Sequence, residues 1–305
     1  MSSGRIENAV IVGMGALGIL YGSFIRENLG REHVTFLMDE RRLERHQKDV
    51  YTINGRTVDF QMTAPEQVKK ADLVIFAVKY GALQDAIREV KNAVGENTVI
   101  LSIMNGIVTE DLIGGVYGME RMVDSVPIGM DAMREGTSLH YTKAGSLQIG
   151  VRGEERQEEL GRVAEFFDRA GVPHEVMEDI RRAMWNKFMI NVGTNQTCMV
   201  YQTTYGGSMK GQAYEDQKGA MHEVMRVAAA EGVKLTEDDY QKDIAILNSL
   251  DPDGYPSMRQ DAVARRRSEV ELFSGTVIRL AKKHGLSVPV NEKYYRKIQE
   301  IESRY

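Results

Sequence analysis

A chain of 305 residues is long for one hydrophobic core and fits two domains better. With 42% hydrophobic and 27% charged residues and a net charge of −5, it reads as a soluble globular protein without the basic excess of a nucleic-acid binder. One cysteine, Cys198, excludes an intrachain disulfide framework and a structural zinc site, and the six histidines show no metal-ligand spacing, so no metal is expected. No targeting segment is visible, which makes the cytoplasm the default location and excludes a membrane role.

The first apolar run, Ala9-Val10-Ile11-Val12, has the length and residue type of a buried parallel strand. Gly13-x-Gly15-x-x-Gly18 follows at once, and then a helix-compatible segment with Leu20, Phe24 and Ile25. Gly13 permits the tight turn out of the strand, Gly15 lets a pyrophosphate approach the backbone, and Gly18 lets helix and strand pack closely. The free N–H groups and positive dipole end of the helix then face the phosphates. Alone the triplet is a weak motif; after a strand and before a helix it marks a dinucleotide loop contacted through Gly13, Met14, Gly15, Ala16, Leu17 and Gly18. A membrane span or signal segment over Asn8–Ile25 is disfavoured, because four glycines interrupt it and Glu7 stands beside Arg5.

The run His33–Met38 is expected as the second strand. It ends at Asp39, 26 residues after Gly13, where an acidic residue meets an adenosine ribose. Asp39 also suits an N-cap, and the two roles can coexist. Arg41 and Arg42 follow directly. Asn54-Gly55 marks a turn before a short strand over Val58–Met62. Leu73–Val78 is the clearest buried strand, with Lys79 at its carboxyl end, the edge that faces the ligand crevice in open α/β sheets. A helix through Ile87 and a strand Val99–Ile103 follow, the strand stopping at Met104-Asn105-Gly106. This alternation implies a Rossmann-type doubly wound parallel sheet. A glycine-punctuated β-like stretch over 122–151 reads as an antiparallel extension. Helix Glu154–Ala170 and strand Pro173–Met177 then close a dinucleotide-binding domain over 1–177.

Beyond Glu178 strand signals almost vanish, so 178–305 is expected as an all-helical domain. Its first helix carries Trp185, Lys187, Asn191 and Asn195, the last three spaced four apart on one face. Spacing alone reads as an ordinary wet face, but Gly193, Thr194 and Thr197 make a poor helix by propensity and point to a packed or functional setting. A second helix is expected from about Asp216 to Gly232, its methionines filling core. A long helix should run from Ser257 to about His284. Within it Ser257 suits an N-cap, and Glu269 suits an ion pair with Arg265 and Arg266 one turn earlier. Arg265–Arg267 reads as an exposed face and Cys198 as a small buried hydrophobe.

Taken together, several of these residues carry a resemblance. Gly13-Met-Gly-Ala-Leu-Gly18, Val78-Lys79, Asn105-Gly106, Trp185-Asn-Lys187-Phe-x-x-Asn191, Ser257-Met-x-Gln-Asp261, Glu269 and Gly285-x-x-x-Pro289 recur in an order that resembles the ketopantoate reductase (2-dehydropantoate 2-reductase) family, from about residue 9 to 290. The resemblance implies an N-terminal Rossmann domain, a C-terminal helical domain and an active site in the cleft between them. It also implies hydride reduction of a 2-oxo acid, ketopantoate to pantoate first, as in pantothenate biosynthesis. By the same resemblance Lys187 is the general acid and Glu269 anchors substrate and lysine. Ser257 holds the substrate carboxylate, while Asn105, Asn191 and Asn195 line the nicotinamide and substrate region. A homodimer is compatible with it. The coenzyme it implies is NADP(H). Asp39 and Ala82, however, stand where NADP(H)-using members often carry an arginine and a glutamine, and they favour NAD(H) unless Arg41 or Arg42 compensates. Two other readings are an NAD-dependent D-2-hydroxyacid dehydrogenase on the same scaffold and a non-catalytic redox sensor. A sensor has no need of the lysine, asparagine, serine and glutamate set.

Overall fold

The computed structural model describes residues 4–305. The chain divides into two compact units, one running to Asn105 and from Thr109 to Ile180, the other made of Gly106–Val108 and Arg181–Tyr305.

The first unit opens with β1 (Ala9–Val12), α1 (Ala16–Leu29), β2 (Val34–Leu37) and α2 (Glu40–His46). Three short strands follow, β3 (Tyr51–Ile53), β4 (Arg56–Val58) and β5 (Gln61–Thr63), then β6 (Ala71–Phe76), α3 (Leu83–Glu89), β7 (Val94–Ser102) and α4 (Thr109–Tyr117). β8 (Met122–Ile128), β9 (Met133–Glu135), β10 (Ser138–His140), β11 (Ser146–Gly150), α5 (Gln157–Ala170) and β12 (His174–Val176) complete it. Among the described residues an eight-stranded sheet has the order β12-β11-β8-β7-β6-β1-β2-β5, and a four-stranded sheet the order β4-β3-β10-β9. In the large sheet all neighbours are parallel except β8 and β11. Strand succession reverses between β1 and β6, the switch point at whose carboxyl ends a ligand crevice opens.

The apolar strands are buried on both sides because their side chains alternate between two cores. Ala9 and Ile11 join Phe36, Ile75 and Phe166 on the face covered by α1 and α5. Val10 and Val12 join Val74, Leu83 and Ile113 on the face covered by α3 and α4.

Two local expectations change here. The single strand expected over Val58–Met62 is split, with β4 pairing antiparallel to β3 in the small sheet and β5 pairing parallel to β2 in the large one. The buried ring of Phe60 between them packs edge-on against Phe36 at 5.0 Å and Tyr51 at 6.0 Å, so the chain turns to keep it inside. Asn54 and Gly55, both at positive φ, form the two-residue turn that joins β3 to β4. β2 starts at Val34, because Arg31–His33 form a 3₁₀ turn.

The second unit contains α6 (Ile180–Ile190, whose first residue lies in the first unit), a π turn (Asn191–Asn195), α7 (Gln196–Val200) and α8 (Tyr205–Ser208). α9 (Gly211–Ala230), α10 (Glu237–Ser249), α11 (Ser257–Val263), a second π turn (Glu271–Gly275), α12 (Thr276–Lys283) and α13 (Pro289–Glu302) follow. The long helix expected from Ser257 is therefore broken. Arg265 adopts φ +52°, and Arg266 donates from its backbone N–H to Asp261 O at 2.8 Å and from Nε to the Asp261 carboxylate at 2.9 Å. That closes a left-handed helix end at a non-glycine residue, which three arginines in a row do not advertise. α13 starts where buried Glu223 of α9 accepts the N–H groups of Val290 and Asn291, each at 2.9 Å. A carboxylate at a helix N-terminus satisfies donors that the helix leaves open.

A Cβ added at Gly18 would sit 2.1 Å from Gly13 O, a backbone atom that cannot move aside, whereas at Gly15 the nearest atom is Ala77 O at 3.6 Å. Gly18→Ala should therefore lower stability by about 1–3 kcal/mol, as overpacking does, and Gly15→Ala should leave it near wild type. Denaturant midpoints of the two variants check this contrast.

Candidate functional site

In the first unit, β1 runs into Gly13 at φ +108°, where a Cβ would meet Ala77 O at 2.5 Å. The turn after β1 is thus pressed against the chain leaving β6. Gly15 is the N-cap of α1, no side chain caps that helix, and its first turn holds no acid. Gly15 is exposed and Ala16 and Leu17 half-buried, so the loop presents bare backbone, while Gly13, Met14 and Gly18 are buried beneath it.

A small hollow adjoins this loop, lined by Gly13, Met14, Leu37, Met38, Arg42, His46, Tyr51 and Arg134. Two of these residues are arginines from different elements and none is acidic. Arg134 comes from β9, where it donates to Met14 O and, through Nε, to Gly136 O at 2.7 Å. Asp39 is the N-cap of α2, accepting the N–H of Arg42 at 2.9 Å, and its carboxylate lies 4.0 Å from the Arg42 guanidinium. Arg41 is exposed and does not line the hollow. Lys79 is the exposed N-cap of a 3₁₀ turn, Tyr80–Ala82, after β6. Asn105, half-buried, is the last residue of the first unit before Gly106.

In the second unit, Lys187 lies on α6 one turn before Asn191. It is half-buried, and the surrounding protein lowers its pKa, an effect the Asp243 carboxylate opposes. Asn191 and Asn195 are buried, and Asn195 Nδ2 donates to Asn191 Oδ1 at 3.0 Å. Ser257 Oγ donates to Asn195 Oδ1 at 3.3 Å, so its hydroxyl turns to the asparagines, and Pro256, not Ser257, occupies the N-cap of α11. The structure therefore brings Asn191, Asn195 and Ser257 together. Glu269 is half-buried just before the second π turn, beyond the helix end at Arg265.

The poor helix propensity after Ile190 is realised as the π turn. Gly193 is required there, since a Cβ would meet Met221 Cγ of α9 at 2.4 Å. The turn is held by Gln196, which is fully buried. Its Nε2 donates to Val192 O at 2.8 Å, and its Oε1 accepts the N–H of Ser274 in the other π turn at 3.2 Å. One side chain thus repairs both irregular turns. Cys198 is buried, with its thiol pushed up to about 12 by that burial, which fits a packing residue.

Comparison with known proteins follows the division of the chain. The family described as ketopantoate reductase PanE/ApbA matches residues 9–154, and its C-terminal domain matches residues 179–302. The chain belongs to the ketopantoate reductase family. A 2-dehydropantoate 2-reductase of Pyrococcus horikoshii is 28% identical over 298 residues, covering 96% of this chain and 97% of its own. The solved PanE/ApbA family ketopantoate reductase of Ralstonia eutropha JMP134 superposes with a TM-score of 0.84 at 25% identity, over 97% of this chain and 99% of its own. A D-mandelate dehydrogenase solved with NADH and anilino(oxo)acetate has a TM-score of 0.86 at 21% identity, over 97% and 99%, a likeness of fold.

Membership makes the chain an oxidoreductase with a nicotinamide coenzyme and an oxo-acid substrate. The first unit fits such a coenzyme, because its glycine loop leaves the backbone bare at exposed Gly15, at a helix N-terminus that no side chain caps and no acid occupies. Sequence reasoning missed Arg134, Asp243 and Gln196. Arg134 lies in a stretch with no motif. Asp243 had a signal, an acid within the apolar stripe of Tyr240, Ile244 and Leu247 on α10. Gln196→Ala strips a partner from a buried carbonyl and a buried N–H, and each such group costs roughly 1–3 kcal/mol. The variant should lose at least about 2 kcal/mol of stability, read from its denaturation curve.

Proposed function

We propose that this protein reduces a 2-oxo acid, 2-dehydropantoate first, with NADPH as the reductant. When bound, the coenzyme supplies the hydride. Lys187 hydrogen-bonds the substrate carbonyl oxygen and gives it a proton as negative charge grows there. Its burial supports that role, since a lysine held below its ordinary pKa is a stronger acid. Asn191, Asn195 and Ser257 orient the substrate's polar end, and Glu269 anchors the substrate. The backbone of Gly15–Leu17 holds the pyrophosphate, and Lys79 and Asn105 belong to the coenzyme side.

The observation that carries the reading is a polar set within the helical unit, Asn191, Asn195 and Ser257 joined by hydrogen bonds, with Lys187 one helical turn before Asn191. The family relatives' names favour 2-dehydropantoate among 2-oxo acids. A D-2-hydroxyacid dehydrogenase would share the chemistry and differ in the side chain accepted, so a panel of 2-oxo acids separates the two. Lys187→Ala should lower turnover at least about 10²-fold with coenzyme affinity little changed. Near-normal turnover would remove Lys187 from the acid role.

For the coenzyme, Arg42 and Arg134 favour a 2′-phosphate, which an arginine fork grips well. Asp39 opposes it less than its position suggests, because its carboxylate is engaged by α2 and by Arg42. Arg42→Ala and Arg134→Ala should each lower the kcat/KM ratio of NADPH to NADH. Asp39→Asn keeps a capping oxygen without the charge and should raise the ratio, while Arg41→Ala should leave it unchanged. Steady-state kinetics with both coenzymes reads all four; a ratio unmoved by Arg42→Ala and Arg134→Ala would end the NADPH reading.

A further inference from the structure

Asp243 on α10 is 2% exposed, and the second unit gives it too few donors for a charged carboxylate. Asn186 Nδ2 donates to its Oδ1 at 3.1 Å, while Oδ2 is buried with no hydrogen-bond partner. The Asn186 side-chain oxygen is also buried and unpartnered. Two acceptors without donors, on two side chains already joined by one hydrogen bond, lack a single proton between them. Asp239, one turn earlier on α10, takes a different state. Its carboxylate accepts from Arg182 at 2.6 and 2.8 Å and from the backbone N–H and hydroxyl of Thr236 at 2.7 and 2.8 Å, so it is ionised. A second bare charge beside it is disfavoured.

We propose that Asp243 carries a proton on Oδ2 and donates it to the Asn186 amide oxygen, and that loss of this proton governs how far up in pH Lys187 keeps its own. Lys187 follows Asn186 on α6, the residue hydrogen-bonded to Asp243, so a charge on Asp243 stands next to the lysine's own turn and favours its charged form. Burial and Asp239 push the Asp243 carboxyl up to about 7, with the Asn186 hydrogen bond and Lys187 opposing. The other groups around α10 are already committed or neutral. Arg182 on α6 is held by Asp239, and His222 of α9 lies 3.2 Å from Glu237. Tyr214 of α9 meets Tyr240, and α8, which packs on α10, carries Tyr205. Below neutrality Asp243 is neutral and burial alone acts on Lys187. Above it, the new negative charge favours the charged ammonium and delays its loss. Asp243 is thus a positioning residue whose charge tunes the acid.

This inference rests on the proposed acid role of Lys187 only for its consequence in catalysis, and the test separates the two. In lysine-labelled protein, with the Lys187 signal identified by its absence from Lys187→Arg, the Lys187 Cε and Nζ resonances are followed against pH. Wild type should show two transitions, one near neutrality as Asp243 ionises and one at higher pH as Lys187 itself titrates. Asp243→Asn preserves both hydrogen bonds to Asn186 but cannot ionise. It should abolish the first transition and lower the second midpoint by roughly 1, a tenfold change in ionisation constant. Stability supplies a second reading. The unfolded Asp243 ionises near 4 and the folded one about 7, so its contribution falls as pH rises between these values and is flat above; Asp243→Asn should lose that slope. A single Lys187 transition in wild type, or an unmoved midpoint in Asp243→Asn, overturns the proposal. If the midpoint moves while the alkaline limb of kcat/KM does not, the coupling stands and the acid role of Lys187 falls.

Discussion

The second unit depends on one constraint, that polar side chains inside a helical interior are costly to bury without hydrogen-bond partners. Asn191, Asn195, Gln196, Ser274, Glu223 and Asn291 are buried there, and regular α-helix offers them nothing, because its own backbone groups are already paired. The chain meets the constraint by opening two α-helices into π turns and joining them through Gln196. Ser274 Oγ then donates to Asn291 Oδ1 at 3.0 Å, and Asn291 Nδ2 donates to Glu223 at 2.8 Å. The network runs from the lysine-bearing helix to the start of α13, and π turns of this kind occur often at functional sites. A polar stripe that would be mobile on a surface is fixed here by its own hydrogen bonds, which is what orientation of a small substrate requires.

The first unit obeys a steric rule instead. β1 and β6 lie side by side at the switch point, and their exits come so close that only glycine fits at 13 and 18. Gly15 differs, being exposed and free of crowding, so its lack of a side chain serves what approaches from outside. The three glycines of one motif thus have two separate physical causes. Stability holds the outer pair, and access holds the middle one.

Charge in both units is set by neighbours more than by residue type. Asp39 stands where a carboxylate could read a ribose, yet the N-terminus of α2 and Arg42 share it. Asp239 and Asp243 occupy adjacent turns of one helix and take opposite states. The first accepts four hydrogen bonds from three donor groups and its pKa is lowered, while the second accepts one and its pKa is raised. The pattern of donors, and not depth alone, separates them.

The sequence by itself determined the alternation of strands and helices, the glycine loop and the helical second half. These follow from local periodicity and from glycine's conformational freedom, which operate within a few residues. It also put Lys187, Asn191 and Asn195 on one helix face, to which only the family resemblance gave a role, and it marked the weak helix around Gly193 through propensity. The tertiary structure decided the rest. Whether Ser257 caps its own helix or meets Asn195 depends on a contact 62 positions away in the chain. The break at Arg265 rests on hydrogen bonds to Asp261 that no arginine-rich pattern encodes. Arg134 reaches Met14 across 120 positions, and Asp243 reaches Asn186 across 57. Such contacts, and the protonation states they impose, arise only when distant segments pack, because desolvation and partner geometry are properties of the folded surroundings and not of the residue.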